Sequence, residues 1–261
     1  MARKLNILIT GGNGYIANTL YREMAEEHNV MSVTRNDFDM SDSKSVDNFF
    51  KHKLFDVVIH CAVKGGSRLK KETWNDMDEN LKMYYNLLNN KAHYDKLIHF
   101  GSGAELYARD TPYGLSKKVI SNSILEHNNF YNLRIYAVFD ENELDTRYIK
   151  ANIKRYINRE AIEIYEDKYM DFIYMPDLVK IVNYYINNNA SIKDIDCVYN
   201  TKYTLNDIAK TINGLDEYEV EIKIKKQSKY NYNGKFSDLP INFIGLQNGI
   251  SKVYNKLKNN K

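Results

Sequence analysis

Short apolar runs and four-residue apolar repeats alternate along the first half of the chain. Residues 5–10 form a compact apolar run that residues 11–14 break with three glycines, which predicts a strand followed by a turn. Ile16, Leu20 and Met24 then recur every four residues, the spacing of one helix face. The alternation continues with strands expected at 30–34, 56–61, 96–101 and 133–139, and helices at 43–52, 78–91 and 112–127. Repeated strand–helix–strand units predict an α/β fold in which right-handed crossovers give a doubly wound parallel sheet. Beyond Asp140 the pattern loosens. Helices are expected at 146–158, 177–188, 205–211 and 245–256, and short strands at 160–165 and 218–224. No linker rich in Gly, Pro or Ser divides the 261 residues, and there are only three prolines. A single domain is expected over 1–261. Within it 1–140 is mainly a nucleotide-binding core, and 141–261 mainly a small C-terminal cap interleaved with that core. Such a cap would close over substrate at the carboxyl ends of the strands.

Composition narrows the field. With 37 basic and 34 acidic residues the net charge is +3, so no strong field argues for a nucleic-acid or membrane partner. No apolar run approaches the roughly 18 residues that span a bilayer. No signal-peptide pattern precedes the first strand, and a reducing cytoplasm is the expected compartment. Cys61 and Cys197 lie far apart in apolar runs. They offer neither a disulfide framework nor metal spacing, and read as small buried apolar groups. The six histidines also lack metal spacing, so no metal is expected; His60 and His99, inside strands, read as core or cofactor-side groups. The basic segment 252–261 reads as a solvated tail.

Three signals carry chemistry. In Gly11-Gly12-Asn13-Gly14-Tyr15-Ile16-Ala17, Gly11 suits the tight turn and Gly14 admits backbone close to a pyrophosphate. Ala17 lets helix pack on strand, and the helix N-terminus offers free N–H groups to phosphate. At the end of the second strand, Thr34 and Arg35 stand where an NAD site usually carries an acid for the ribose hydroxyls. The guanidinium fork suits a 2′-phosphate and favours NADP(H) over NAD(H); the other reading makes Arg35 a surface residue, with Asp37 or Asp39 serving NAD. In Tyr113-Gly114-Leu115-Ser116-Lys117 the four-residue step puts Tyr113 and Lys117 on one helix face. There a lysine ammonium would stabilise tyrosinate and tune the phenol for proton exchange with a carbonyl or carbinol oxygen.

These motifs resemble the extended short-chain dehydrogenase/reductase family, of the NAD-dependent epimerase/dehydratase type, over nearly the whole chain. Val57-Val58-Ile59-His60-Cys61-Ala62 resembles the family's strand beside the cofactor, and Asp39-Met40-Ser41-Asp42 its adenine-contacting segment. Asn80 matches an asparagine of the following helix. Asp171-Phe172-Ile173-Tyr174-Met175-Pro176-Asp177, Val198-Tyr199-Asn200 and residues 249–254 match later family segments. The resemblance implies a Rossmann-type core that binds the dinucleotide through Gly11, Asn13, Gly14, Tyr15, Ile16, Arg35, Asp39, Met40, Ala62, Tyr113 and Lys117. Within the family, Arg35 and Ala62-Val63-Lys64-Gly65-Gly66 look most like NADPH-dependent sugar-nucleotide reductases, such as GDP-fucose synthase and dTDP-4-dehydrorhamnose reductase. That implies reduction of a nucleotide-activated keto sugar in capsule or lipopolysaccharide precursor synthesis. Tyr113 would be the proton donor, Lys117 would hold the nicotinamide ribose, and Ser102 would position the carbonyl. The family's serine or threonine position holds Gly103, so Ser102 would serve through a shifted turn. Glu105 resembles the base of sugar-nucleotide 4,6-dehydratases and equally reads as a solvated loop carboxylate. Two alternatives stand beside the reductase: a dehydratase or epimerase that recycles its nicotinamide, and a non-catalytic dinucleotide sensor. The family's dimers imply a homodimer packed through 78–91 and 113–127, with Leu115, Val119, Ile120 and Ile124 as an apolar face.

Overall fold

A computed structural model describes residues 3–66 and 70–259. The first strand, β1 (Asn6–Thr10), leads into α1 (Tyr15–Met24), and β2 (Asn29–Val33) into α2 (Ser43–Phe50). Next come β3 (Phe55–His60), α3 (Trp74–Asn89), β4 (Tyr94–Ser102), α4 (Ala104–Tyr107), α5 (Pro112–Leu125) and β5 (Phe130–Ile135). Then follow β6 (Val138–Phe139), α6 (Tyr148–Ile157), β7 (Ile162–Ile164), β8 (Ile173–Tyr174) and α7 (Met175–Asn187). The chain continues with β9 (Asp194–Asp196), α8 (Leu205–Asn213), β10 (Ile222–Ile224) and α9 (Leu246–Asn259).

Six strands form one parallel sheet in the order β2-β1-β3-β4-β5-β9. The chain runs outward from β1 to β2, then crosses back to place β3 on the other side of β1. This reversal defines the crevice where doubly wound sheets take their ligands, at the carboxyl ends of β1 and β3. Ile7, Leu8 and Ile9 are all fully buried, as expected of a parallel strand covered on both faces. Register aligns Leu8 with Val58 and Val58 with Leu97. Those three share a core with Val46 and Phe50 of α2, Tyr84 and Leu87 of α3, and Ile120 and Ile124 of α5.

The chain divides into two compact units. One holds residues 1–134 and 182–195, including nearly all of the six-stranded sheet; the other holds 135–181 and 196–261. The second unit has two small parallel pairs, β6 with β8 and β7 with β10. Its own core comprises residues such as Phe139, Ile149, Ile153, Tyr156, Ile208, Ile250 and Val253. The carboxylate of Asp177, fully buried at the start of α7, accepts hydrogen bonds from Tyr199 Oη and the amides of Ile244 and Gly245 at 2.7–3.0 Å. That joins two of the family-like segments to the approach of α9.

Several expectations need correction. The fifth strand ends at Ile135, and Val138–Phe139 belongs to a separate pair with Ile173–Tyr174. The expected strand over 218–224 contracts to Ile222–Ile224. Residues 252–259 are not a loose tail but the end of α9, where Val253 and Tyr254 are buried. Cys197 is buried but Cys61 only half so. Ile120 and Ile124 are spent in the core of the first unit, which leaves only Leu115 and Val119 of the expected dimer face partly accessible.

Candidate active site

The glycine-rich turn is shaped by crowding on one side and openness on the other. Gly11 has φ +71°, and an added Cβ would lie 2.7 Å from the amide nitrogen of Ala62. The ends of β1 and β3 therefore meet too closely for any side chain at Gly11. An added Cβ on Gly14 would instead meet only the Gly11 carbonyl, at 3.1 Å. Gly14 is the N-cap of α1, and among the described residues no side chain caps that helix. Open backbone beside an uncapped helix N-terminus fits a pyrophosphate.

Beside the turn lies a cavity of about 170 Å³. It brings together six of the expected cofactor residues: Gly11, Asn13, Arg35, Asp39, Met40 and Ala62. Val33, Phe38 and Met83 add apolar walls that suit a nucleobase. Gly14, Tyr15 and Ile16 continue into α1. Asp37 does not line this cavity, and its Oδ2 accepts the Thr34 amide at 2.7 Å and the Thr34 hydroxyl at 3.0 Å. These bonds hold its carboxyl below the ordinary value. Asp39 is held lower likewise, first by the hydroxyl and amide of Ser41 and then by the charges of Arg35 and Lys64. Lys64 and Glu79 also line this cavity; Lys64 was singled out only as part of the Ala62–Gly66 segment, and Glu79 not at all. Their ion pair joins the loop after β3 to α3, and no local pattern in the sequence announces it.

Tyr113 sits at the second position of α5, after the capping Thr111 and Pro112. Its amide donates to Glu72 Oε2 at 3.3 Å. Lys117 follows one turn on, with Nζ 5.8 Å from the centre of the Tyr113 ring. Lys117 is only 4% exposed. Its ammonium donates to the Phe100 carbonyl at 2.6 Å and lies 3.4 Å from His99 Nε2. Burial pushes Lys117 down to about 8, with the charge of Glu105 pulling the other way. An ammonium so close to neutrality suits proton exchange near pH 7. The glycines after β3 pack against the tyrosine: an added Cβ on Gly66, at φ +72°, would be 2.8 Å from Tyr113 Cζ.

His60 and His99 stand in register on β3 and β4, their rings 5.3 Å apart. Both are buried, and desolvation drives His60 down to about 3 and His99 well below its ordinary value. His60 Nδ1 shares a 2.9 Å hydrogen bond with Thr10 Oγ1. Thr10 Oγ1 also accepts the amides of Cys61 and Ala62 at 3.2 Å. A neutral polar row thus crosses the sheet from the glycine turn to Lys117.

Ser102 ends β4 half-buried, and its Oγ accepts the Ala104 amide at 3.2 Å. Glu105 is no solvated loop carboxylate: it is fully buried. It pairs with Arg134, which also grips both carboxylate oxygens of Asp194 at 2.7–2.8 Å, while Asn132 bridges Glu105 and Asp194. Burial pushes the Glu105 carboxyl up against the pull of Arg134. This network pins α4 to β5.

A glycine turn at the switch point, a cavity beside it and a tyrosine–lysine pair on α5 are features of the dinucleotide-binding Rossmann-type class. The NAD dependent epimerase/dehydratase family model matches residues 7–200. The chain belongs to that family and is an enzyme of its NAD(P)-dependent kind. A search of curated protein sequences finds no match. Among solved structures, a GDP-mannoheptose C4 reductase from Campylobacter jejuni with NADP bound superposes with a TM-score of 0.80 at 16% identity, over 99% of each chain. A UDP-glucose 4-epimerase from Thermotoga maritima with UDP-glucose gives 0.81 at 16% identity, over 98% of this chain and 99% of that one. A GDP-L-fucose synthetase from Naegleria fowleri bound to NADP gives 0.74 at 14% identity, over 100% and 94%. At these identities the likeness establishes a shared fold.

Proposed function

We propose that the chain is an NADPH-dependent reductase of a nucleotide-activated keto sugar. The observation that carries this reading is the contrast between two acids. Tyr113 stands beside the buried ammonium of Lys117, whereas Glu105, which only the family resemblance suggested as a dehydratase base, is sealed from solvent against Arg134. Abstraction of a sugar proton needs a carboxylate within reach of substrate, and Glu105 offers none.

In this reading the Gly11–Gly14 turn and the start of α1 hold the pyrophosphate. The cavity beside Arg35 holds the adenosine. The dinucleotide, when bound, supplies the hydride. Tyr113 gives its phenolic proton to the carbonyl oxygen, and the Lys117 ammonium stabilises the tyrosinate left behind. In the same reading Ser102 Oγ, at the end of β4, orients that carbonyl. The second unit, 135–181 with 196–261, is read as the sugar-nucleotide-binding cap. Preference for NADP(H) is supported by Arg35 in the cavity wall and by the bonding of the Asp37 carboxylate to Thr34, outside that wall. The NADP-bound reductase and synthetase of the same fold support it too. The reading extends to a cytoplasmic homodimer in surface-polysaccharide precursor synthesis.

The test is cofactor stoichiometry. Purified protein is incubated with NADPH and a panel of GDP-, UDP- and dTDP-linked 4-keto sugars, and NADPH loss is followed at 340 nm beside product formation. One NADPH consumed per product formed is the expected result. Product without NADPH loss would replace the reductase with an epimerase or dehydratase that recycles its nicotinamide. Tight NADPH binding with no product from any sugar would favour a dinucleotide sensor.

A further inference from the structure

The cavity beside the glycine turn contains a charge arrangement that the Tyr113–Lys117 chemistry does not use. Lys64, in the loop after β3, and Glu79, on α3, form an ion pair in its wall. Their side chains are only 28% and 21% exposed. Glu79 Oε2 also lies 3.9 Å from the guanidinium of Arg35, which is 67% exposed. One carboxylate thus holds two cations that come from the ends of two different strands, on either side of β1.

The backbone that presents Lys64 is fixed. Asn80 Oδ1 accepts the Lys64 amide at 2.8 Å, and Asn80 Nδ2 donates to the Lys64 carbonyl at 2.9 Å. Asn80 is itself buried and within 3.3 Å of Ser116 Oγ. Lys64 is therefore held at the cavity by a clamp that reaches α5. The other two acids nearby are turned onto local donors: Asp37 onto Thr34, and Asp39 Oδ1 onto the Ser41 amide and hydroxyl at 2.9 and 2.7 Å.

We infer that Lys64, Glu79 and Arg35 form the element that reads the 2′-position of the cofactor's adenosine ribose. Lys64 is the second cation for a 2′-phosphate, alongside Arg35. Glu79 is the counter-charge that orients both cations and competes with the phosphate for them. A ribose bearing a 2′-hydroxyl provides no anion to take the place of Glu79, so the pair stays closed on itself. Discrimination then comes from exchanging one anion for another across fixed cations, which a lone, largely exposed arginine would supply only weakly.

The inference rests on the NADP(H) reading and deepens it. The test is direct binding of NADPH and NADH, by fluorescence titration, to wild type, Lys64→Met and Glu79→Gln, with no sugar substrate present. Methionine keeps the apolar stem of Lys64 and removes its charge. Its NADPH Kd is expected to rise roughly tenfold, the scale of one charge-assisted contact to phosphate. NADH should shift less than about twofold. Glu79→Gln is expected to move the other way, tightening NADPH by about three- to tenfold with NADH unchanged. Loss of fold could not produce that gain. Raising salt should weaken NADPH binding less in Lys64→Met than in wild type.

A wild type that binds both cofactors alike would refute the NADP(H) reading, and this inference with it. A wild type that prefers NADPH, with the preference unchanged in Lys64→Met, would overturn the inference alone. Weaker NADH binding in Glu79→Gln would also overturn it, by making Glu79 an acceptor for the ribose hydroxyls.

Discussion

Lys117→Met is expected to stabilise the protein at pH 7 while removing turnover. Lys117 is 4% exposed, and burial holds its ammonium down to about 8 from an ordinary 10.5. At about 1.4 kcal/mol per pH unit, keeping that charge inside the fold costs roughly 3 kcal/mol. Methionine fills a similar volume without charge. It gives up the bonds to the Phe100 carbonyl and His99 Nε2, each worth about 1 kcal/mol. The balance is a gain of about 1 kcal/mol, or roughly 2–4 °C in Tm for a chain of this size. The sign of the pH dependence follows from a cation whose folded pKa is depressed. Below about 8 both folded and unfolded chains carry the proton, and wild type bears the whole penalty. Between about 8 and 10.5 the unfolded chain holds more protons, so wild-type stability recovers relative to the variant as pH rises. Thermal melts of both proteins from about pH 7 to about pH 10 should therefore show the variant ahead at the low end and the gap closing or reversing at the high end. A variant that melts below wild type at pH 7, or that keeps one margin throughout, would refute the reasoning.

Arg134→Met strands the Glu105 carboxylate in the core, and breaking a buried pair from one side costs about 3–5 kcal/mol. Because Glu105 then ionises only above its unfolded value, the loss should be smaller near pH 5 than near pH 8 in urea melts; equal losses would show that packing and not charge is at stake. Tyr113→Phe should lower turnover by roughly 10²–10⁴-fold with NADPH affinity kept within about threefold; a parallel collapse of binding would make Tyr113 a binding residue. Gly66→Ala strains a backbone at φ +72° and drives a Cβ to 2.8 Å from Tyr113 Cζ. It should lower kcat, while Gly214→Ala, whose nearest contact is an ordinary 3.6 Å, should be silent in the same assay.

The sheet was legible because its strands are apolar runs buried on both faces, and Ile7-Leu8-Ile9 and Val57-Val58-Ile59 read as such without any partner. β9 was not, since Asp194-Ile195-Asp196 has one apolar residue and gains its place only by lying beside β5. The spacing of Tyr113 and Lys117 is local and was visible. The burial of Lys117 is not local: β4 imposes it through the Phe100 carbonyl and His99. Glu105 misled for the same reason. Its neighbours in sequence suggested a loop near Ser102, while its partners stand 27 and 29 positions away on β5. Lys64 stood in a segment whose family resemblance was visible, but Glu79 looks like an ordinary surface charge until the β3–α3 connection brings the two to one wall.

The discontinuity of the first unit bears on how the protein is made. The chain leaves that unit at Arg134 and returns to it at Val182, along α7. Arg134 emerges from the ribosome 60 residues before Asp194, its second carboxylate partner. At about 5–20 residues per second, translation leaves that guanidinium waiting roughly 3–12 s. Until then β5 is an open edge, the kind that recruits strands from other chains. The nucleotide-binding half thus cannot finish ahead of the other as an N-terminal module. A fragment that ends near residue 134 is expected to aggregate rather than bind cofactor.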